Sequence, residues 1–226
     1  LSRFEDYDED RRRWESGADG AWPFFILLSL ECLKVPHMII VPASARHGAA
    51  IETLLDDVFG SDRHGRTAYR LRDGVRAVDG LSFVALDADG ALVGSIQLWP
   101  IELATATGVH ALTLLGPVAV AKSLQGTGIG ATLMETAIAA ADAMGRSAIV
   151  LIGDPEYYGR FGFTAEVTGD WAVPGPVERH RLLARLPEGL ALKIAGTLRP
   201  TKALSAVRAT TPAQKGSRRA AAPAAA

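Results

Sequence analysis

Three glycines within five residues form the first segment of the chain that is suited to chemistry. Gly126, Gly128 and Gly130 lie in the stretch QGTGIG, directly before an apolar pattern with helical spacing. Backbone amides at the start of a helix lack partners within that helix, and glycine leaves them uncovered. Together with the positive end of the helix dipole, such amides bind anions. The segment therefore predicts a phosphate-binding loop, with a ligand-free strand–helix turn as the structural alternative.

The same glycines also satisfy a dinucleotide-binding pattern. Residues 126–131 match G-x-G-x-x-[GA], and Asp154 supplies a later acidic residue. Asp154 lies 28 residues after Gly126, however, where that pattern expects about 20, and antiparallel strands are predicted before the loop. No Lys-Ser or Lys-Thr pair follows the last glycine, so the segment is not a P-loop. An NAD(P)-binding domain remains an alternative interpretation.

The elements before the loop follow from apolar periodicity and turn signals. MIIV at 38–41 indicates a strand, helical spacing of apolar residues continues to Gly60, and RTAYRLRDG indicates a shorter helix. Asp89-Gly90 predicts a hairpin between two strand-like runs. The next strand, ALTLLGPVAV at 111–120, contains Pro117, which cannot donate to a ladder. We therefore expect that strand to kink, bulge or lose a partner at this proline.

The elements after the loop complete a mixed architecture. An amphipathic helix ends at Gly145, SAIVLIGD predicts a buried strand, PEYYGRFGF a turn with a short helix, and RLLARL a last strand. The predicted fold class is α/β, as an α+β mixed sheet in the order β-α-α-β-β-β-α-β-α-β.

Two motifs together resemble the GNAT superfamily of N-acetyltransferases. Residues 125–130 match its Q/R-x-x-G-x-G/A loop, and residues 158–163, YGRFGF, match its tyrosine placed four residues before a Gly-Phe pair. The element order from 38 to about 186 also fits, over roughly two-thirds of the chain. The form Gly-Asp-Pro-x-Tyr-Tyr at 153–158 resembles a bacterial branch of predicted acetyltransferases.

The resemblance implies a GNAT-like acyl-CoA N-acyltransferase fold and an enzyme that uses acetyl-CoA as cosubstrate, with no metal. The loop amides would hold the pyrophosphate of coenzyme A, and an acetyl group would pass by direct attack to a primary amine. The residues expected to bind the cofactor are Val118, Ala119, Val120, Gln125, Gly126, Thr127, Gly128, Ile129, Gly130, Asp154 and Tyr158.

The resemblance also assigns catalytic roles. Tyr158 is the expected general acid, because a phenol with a pKa near 10 is protonated at neutral pH and can give its proton to a leaving thiolate. A core or rim aromatic is the alternative, and Tyr157, one residue earlier, is expected to point elsewhere. In this family the strand before the loop parts from its neighbour, so the amide of Val118 is the expected oxyanion donor.

The general base is the open assignment. Many relatives carry a glutamate near the start of the central strand, whereas residues 111–120 contain no acid. Glu102 and His110 flank the loop before that strand and are the nearest titratable candidates, each with a solvated loop residue as its alternative. A water chain or an amine that arrives neutral would also serve. Asp154 stands where many relatives have asparagine and is expected to contact the cofactor, cap the next helix, or both.

Composition and chain organisation lead to expectations about partners, cellular compartment and domain boundaries. A formal net charge of -1 gives no reason to expect a nucleic-acid or membrane partner, and the single Cys32 excludes an internal disulfide and favours the cytoplasm. Residues 1–36 are predicted to be an N-terminal extension outside the native fold, with a short packed helix as the alternative. Residues 37–190 are the predicted acetyltransferase domain. Residues 191–226 form a C-terminal segment, with a disordered basic Ala/Pro tail from about 200.

The acceptor and the assembly are not determined by the sequence. Acceptor specificity would come from the first two helices and the loop at 100–110, where an acidic rim would favour cationic amines. The acceptor is expected to be a small-molecule amine or a protein amine, and a homodimer stays open. The alternative function is a non-catalytic acyl-CoA-binding or interaction module that keeps the fold without the chemistry.

Overall fold

The structure is a computed structural model that describes residues 38–201 of the 226. The N-terminal extension, Cys32 and the basic tail, which the sequence analysis singles out, lie outside the described residues.

Within residues 38–201 the chain forms eight strands and four α-helices, joined by turns and short 3-10 segments. They are β1 (Ile39–Pro42), α1 (Gly48–Phe59), α2 (Thr67–Arg70), β2 (Phe83–Leu86), β3 (Leu92–Thr105), β4 (Gly108–Val120), α3 (Ile129–Ala143), β5 (Ile149–Ile152), α4 (Pro155–Tyr158), β6 (Trp171–Ala172), β7 (Leu182–Arg185) and β8 (Gly196–Pro200). The predicted order is confirmed, and β6 and β8 are additional strands.

The strands form one mixed sheet in the order β1-β2-β3-β4-β5-β7, with β8 paired to β3 and β6. The β4–β5 and β6–β8 pairs are parallel and the others antiparallel. The predicted Asp-Gly hairpin joins β2 to β3. In its turn, Asp87 Oδ1 accepts hydrogen bonds from the amides of Asp89 and Ala91, and Gly90 has a φ of +79°.

Strand β8 lies beyond residue 190, where the sequence analysis ends the domain. Its five residues pair with Ile101–Thr105 of β3, and the Leu198 side chain is fully buried. The segment GTLRP has only one large apolar residue, so its strand conformation depends on long-range pairing rather than on local pattern. The folded part of the chain therefore reaches further than predicted.

Helices cover both faces of the sheet. The apolar face of α3 packs with one buried cluster, and α1 packs with another on the opposite side, because adjacent residues of a strand point to opposite faces. Phe83 and Ala85 face the α3 cluster, whereas Val84 faces α1. Gly94 lets α3 approach β3 closely, since a Cβ there would lie 3.0 Å from Leu133 Cδ1. This contact fixes the start of α3 against the sheet. It thereby also fixes the loop at residues 125–130, called the glycine loop below.

Candidate active site

Strands β4 and β5 separate in the middle of the sheet. They pair only at Thr113 with Ile149 and at Leu114 with Val150, although β4 continues to Val120 and β5 to Ile152. The other edge of β4 carries a bulge, because Gly116 and Pro117 together lie opposite the single residue Gln97 of β3. A bulge bends its strand, and proline withholds a ladder donor. The irregularity predicted at Pro117 is thus confirmed, and it opens a gap between the strands.

A side chain on the neighbouring strand holds the bulge. The indole nitrogen of Trp99 donates a 2.9 Å hydrogen bond to the carbonyl oxygen of Gly116. This bond satisfies a carbonyl that the regular ladder would otherwise engage. The backbone of β4 is therefore held in its bent course at the point where the gap begins.

A cavity of about 660 Å³ fills this gap and extends towards α1 and α2. Its floor is made by residues 114–118 of β4 and residues 151–154 at the end of β5. The remaining lining residues are Phe59, Arg63, Gly65, Arg66, Thr67, Ala68, Tyr69, Arg72, Tyr158, Pro176, Val177, Glu178 and Arg181. The cavity therefore lies where two strands part and where two separate loops contribute side chains.

The glycine loop leads from β4 into α3 with its amides uncovered. Gly126 and Gly128 have φ values of +83° and +94°, a backbone region that favours glycine. The amides of Gly126, Gly128, Ile129 and Gly130 donate no hydrogen bond within the described residues. Side chains of the loop bond carbonyls instead: Gln125 Nε2 donates to Val120 O at 3.2 Å, and Thr127 Oγ1 to Leu124 O at 2.6 Å. The loop thus presents a set of free donors at a helix start.

Tyr158 lines the cavity from the far side of the gap. Its ring lies against Gly153, where a Cβ would come within 2.2 Å of Tyr158 Cε2. Its edge-to-face neighbours are Tyr157, at 4.9 Å between ring centroids, and Phe163, at 6.3 Å. Burial raises the pKa of Tyr158 to about 12, with smaller contributions from Tyr157 and Asp154 that Arg181 opposes. The phenol is therefore a neutral hydrogen-bond donor throughout the physiological pH range.

Tyr157 points away from the cavity and towards the glycine loop. A Cβ on Gly130 would lie 3.1 Å from its hydroxyl oxygen, and the Arg160 guanidinium carbon lies 4.1 Å from its ring centre. Consecutive helical residues project about 100° apart, which explains why the two tyrosines diverge. The sequence analysis assigned Tyr157 no role, although its hydroxyl lies beside the predicted anion site. The two consecutive tyrosines in a predicted short helix were the sequence signal that could have indicated a role for Tyr157.

Asp154 is the N-cap residue that precedes α4, but its side chain makes no capping hydrogen bond. Its Oδ1 instead lies 3.3 Å from an Arg181 guanidinium nitrogen at the cavity wall. The expectation that this side chain caps the helix is therefore wrong, because the ion pair with Arg181 occupies the carboxylate. The helix begins with Pro155, whose missing N–H leaves one donor fewer to cap.

Glu102 and His110 do not reach the cavity. Both belong to the paired hairpin β3–β4, where Glu102 lies opposite Ala111 and His110 opposite Leu103. Glu102 Oε1 accepts a 2.5 Å hydrogen bond from Nε of Arg199 in β8. Glu102 lies five positions after Gln97, the residue opposite the bulge, which is roughly 17 Å along a strand. The structure thus does not bring either candidate base to the site, because residues 100–105 and 108–110 belong to long paired strands rather than to the expected loop.

The cavity lining carries more cations than anions. Four arginines line it, at positions 63, 66, 72 and 181, against the two carboxylates of Asp154 and Glu178. The lining is therefore basic, so it lacks the acidic rim that would favour cationic amines.

Arg63 is the buried member of this set, with 1% of its side chain exposed. Burial alone would lower its pKa, but hydrogen bonds to Glu52, Tyr69 and Asp56 outweigh that effect and raise it. The bonds to Glu52 and Tyr69 Oη measure 2.5 Å and the bond to Asp56 measures 2.8 Å. Arg63 therefore fixes α1 and the segment around α2 to each other as one wall of the cavity.

Two features are absent from the part of the chain that the structure describes. No group of three or more His, Cys, Asp or Glu residues there is arranged to hold a metal ion. None of the described helices is long and apolar enough to cross a bilayer.

Comparisons with known proteins agree with this geometry. The profile of the Acetyltransferase (GNAT) family matches residues 49–163. The Escherichia coli (strain K12) protein YhbS, described as an uncharacterized N-acetyltransferase, is 30% identical over 118 residues, which are 50% of this chain and 65% of that relative. The chain thus matches slightly less than two-thirds of the relative's length.

Solved structures extend the similarity to the fold. The Escherichia coli GNAT family N-acetyltransferase YhbS in complex with CoA has a TM-score of 0.61 and 22% identity, over 82% of this chain and 93% of that one. A GNAT family acetyltransferase from Brucella melitensis in complex with acetyl-CoA has a TM-score of 0.55 and 26% identity, over 74% of this chain and 97% of that one. The predicted mixed α/β fold is thereby confirmed.

Proposed function

The chain belongs to the GNAT family of acetyltransferases, and on that basis we propose that it transfers an acetyl group from acetyl-CoA to a primary amine by direct attack. The observation that carries the proposal is the gap between β4 and β5, which has uncovered loop amides at one end and a protonated phenol on its wall. The two related structures contain CoA and acetyl-CoA.

The loop is suited to the pyrophosphate of coenzyme A. The amides of Gly126, Gly128, Ile129 and Gly130 are free donors at the positive end of a 15-residue helix. The Tyr157 hydroxyl lies beside Gly130 and would add a donor to the same anion. The pantetheine arm would lie along the unpaired edge of β4, from Val118 to Val120, where backbone groups are available because β5 has turned away.

Acetyl transfer needs a donor for the developing oxyanion, and Val118 is our assignment. Its amide follows directly after the bulge, on the strand that forms the cavity floor. Backbone donors placed before the reaction need little reorganisation as charge develops, which makes them effective. Trp99 supports this geometry through its hydrogen bond to Gly116.

Tyr158 would act on the leaving sulfur. A free thiol has a pKa near 8.5, so a phenol with a pKa of about 12 would not protonate a thiolate in water. The burial that raises the phenol pKa would also raise the pKa of a thiol bound next to it, because both anions lose the same solvation. The phenol would therefore stabilise the sulfur by a hydrogen bond as the carbon–sulfur bond breaks and then complete the proton transfer. The proton that the attacking nitrogen gives up on becoming an amide would restore the phenol.

No general base is assigned to Glu102, given its ion pair with Arg199. We propose that the amine loses its proton to solvent and attacks in its neutral form. The rate should then rise with pH as the acceptor amine itself becomes neutral.

A coupled thiol-release assay tests the proposed function. Acetyl-CoA and a panel of amines should release free thiol only when both are present, and mass spectrometry should find the N-acetylated amine. In a thermal-shift experiment, acetyl-CoA should raise the melting temperature and NAD(P) should not. Binding of acetyl-CoA without thiol release for any amine would instead identify a non-catalytic acyl-CoA-binding module.

A further inference from the structure

Arg72 lines the cavity and is held there by aromatic rings. Its guanidinium carbon is 3.7 Å from the ring centre of Tyr69 and 4.5 Å from that of Trp99. Cation–π contacts of this kind restrict the orientation of a planar guanidinium. Arg72 is therefore a positioned cation that lines the cavity, rather than a mobile side chain in solvent.

Few of the donors of this guanidinium have a protein acceptor within residues 38–201. A guanidinium has five N–H donors, and one of them reaches Gln97 Oε1 at 3.4 Å. Within residues 38–201 no carboxylate forms an ion pair with Arg72, whereas Arg63 and Arg181 each have an acidic partner. Burial lowers the pKa of Arg72, and the positive charge of Arg63 lowers it further, whereas Tyr69 and Glu52 oppose these effects. An anion bound there would complete its hydrogen bonds and its charge balance.

The position of Arg72 relates this anion site to the chemistry. Gln97, its hydrogen-bond partner, is the β3 residue opposite the bulge, and Trp99, its aromatic neighbour, is bonded to Gly116 within the bulge. Val118 follows directly. An acceptor anchored on Arg72 would therefore extend its amine towards the part of β4 where the thioester is proposed to lie.

We propose that Arg72 binds the carboxylate of the acceptor, so that the acceptors are amino acids or other small amines that carry a carboxylate. This inference rests on the proposed function of the same cavity. One fork-shaped guanidinium matches one carboxylate through two parallel hydrogen bonds. The other lining arginine without a carboxylate partner in the described chain, Arg66, is exposed and donates to the carbonyl of Phe59 at 2.7 Å. Arg72 is therefore the one lining arginine that is partly buried and has no carboxylate partner within residues 38–201, and one cation suits a monoanion better than a phosphate dianion.

Binding of reaction products tests the site without requiring turnover. In the presence of CoA, calorimetry would compare the N-acetyl derivatives of the common amino acids with their matched carboxamides. At least one acid should bind about tenfold or more tightly than its amide. Arg72→Gln should remove that preference, and Arg72→Lys should retain part of it. Arg76→Gln, the same substitution at an exposed position of the same segment, should leave it unchanged.

Several results would overturn the inference. It falls if Arg72→Gln keeps the preference for the acid, if wild-type protein binds acids and amides equally, or if it binds none of them. A preference for O-phosphoethanolamine over all amino acids as acceptor, lost in Arg72→Gln, would contradict the carboxylate assignment.

Turnover measurements separate this inference from the proposed function. If amino acid amides are acetylated as fast as the acids and Arg72→Gln changes neither rate, the function stands and the carboxylate site falls. If the acids bind in an Arg72-dependent way while no amine releases thiol, the site stands and the function falls.

Discussion

At the scale of single residues, two adjacent tyrosines divide the candidate site between them. Tyr158 faces the cavity and Tyr157 the glycine loop, because the short helix α4 projects them in different directions. Gly153 is required beneath Tyr158, since any side chain there would overlap the ring. The same substitution at the two tyrosines should therefore have different kinetic effects.

Tyr158→Phe should lower kcat by about 10²-fold, because general acid catalysis typically contributes that much or more. The KM for acetyl-CoA should change little, since the ring and its aromatic contacts remain. Tyr157→Phe is the matched control and should raise the KM for acetyl-CoA with a much smaller effect on kcat. Steady-state kinetics at saturating amine would measure both, and an unchanged kcat in Tyr158→Phe would remove that residue from the mechanism.

The pH dependence of the wild-type enzyme follows from the raised pKa of Tyr158. In the proposed mechanism the acid form of Tyr158 is the active one, and with a folded-state pKa of about 12 it persists until the pH rises through that value. We therefore expect no fall in kcat around pH 10, where an ordinary tyrosine would ionise. A descending limb near pH 10 that disappears in Tyr158→Phe would show that the phenol is not buried as described.

At the scale of elements, the site depends on a glycine loop and a bulged strand that both have local sequence signals. The glycine spacing, Pro117 and the Asp-Gly turn predict the anion loop, the irregular strand and the first hairpin, because each is a backbone requirement of its own residues. Glu102 was misplaced because the length of the β3–β4 hairpin is set by pairing between strands. Arg72 was missed for a related reason, since its aromatic neighbours come from tertiary packing.

Gly128→Ala tests the loop as an element. Gly128 has a φ of +94°, and an alanine there is strained by about 1–2 kcal/mol, although a Cβ would meet no atom within 4 Å. The loop should shift to relieve that strain, so the dissociation constant for acetyl-CoA should rise several-fold in calorimetry. Gly169→Ala is the control, because Gly169 lies outside the left-handed region and a Cβ there also meets nothing within 4 Å. Equal binding by the two variants would contradict an amide-lined anion site.

At the scale of the molecule, the sheet is extended by a strand that the sequence analysis left outside the domain. β8 joins β3 to β6 and buries Leu198 in a cluster around Trp171. This part of the fold carries Arg199, which holds the carboxylate of Glu102. The late segment therefore adds a strand to the sheet beside the β3 arm of the long β3–β4 hairpin.

Leu198→Ala should destabilise the protein by about 2–5 kcal/mol, the usual cost of truncating a fully buried leucine. Leu190→Ala is a matched control, because Leu190 is 39% exposed, and its effect should stay within about 0.5 kcal/mol. Chemical denaturation of the full chain, followed by tryptophan fluorescence, would measure both. Similar midpoints for the two variants would contradict the inclusion of β8 in the folded domain.

Trp99 makes two contacts that together limit how the acceptor specificity could change. Its indole nitrogen holds the carbonyl of Gly116, and its ring lies against the guanidinium of Arg72. A substitution of Trp99 that changes the proposed acceptor site at Arg72 would also disturb the bulge of β4, next to the proposed oxyanion donor Val118. Evolution or engineering towards a new acceptor would therefore have to act on other lining residues, such as Phe59 and Val177, and leave the tryptophan in place.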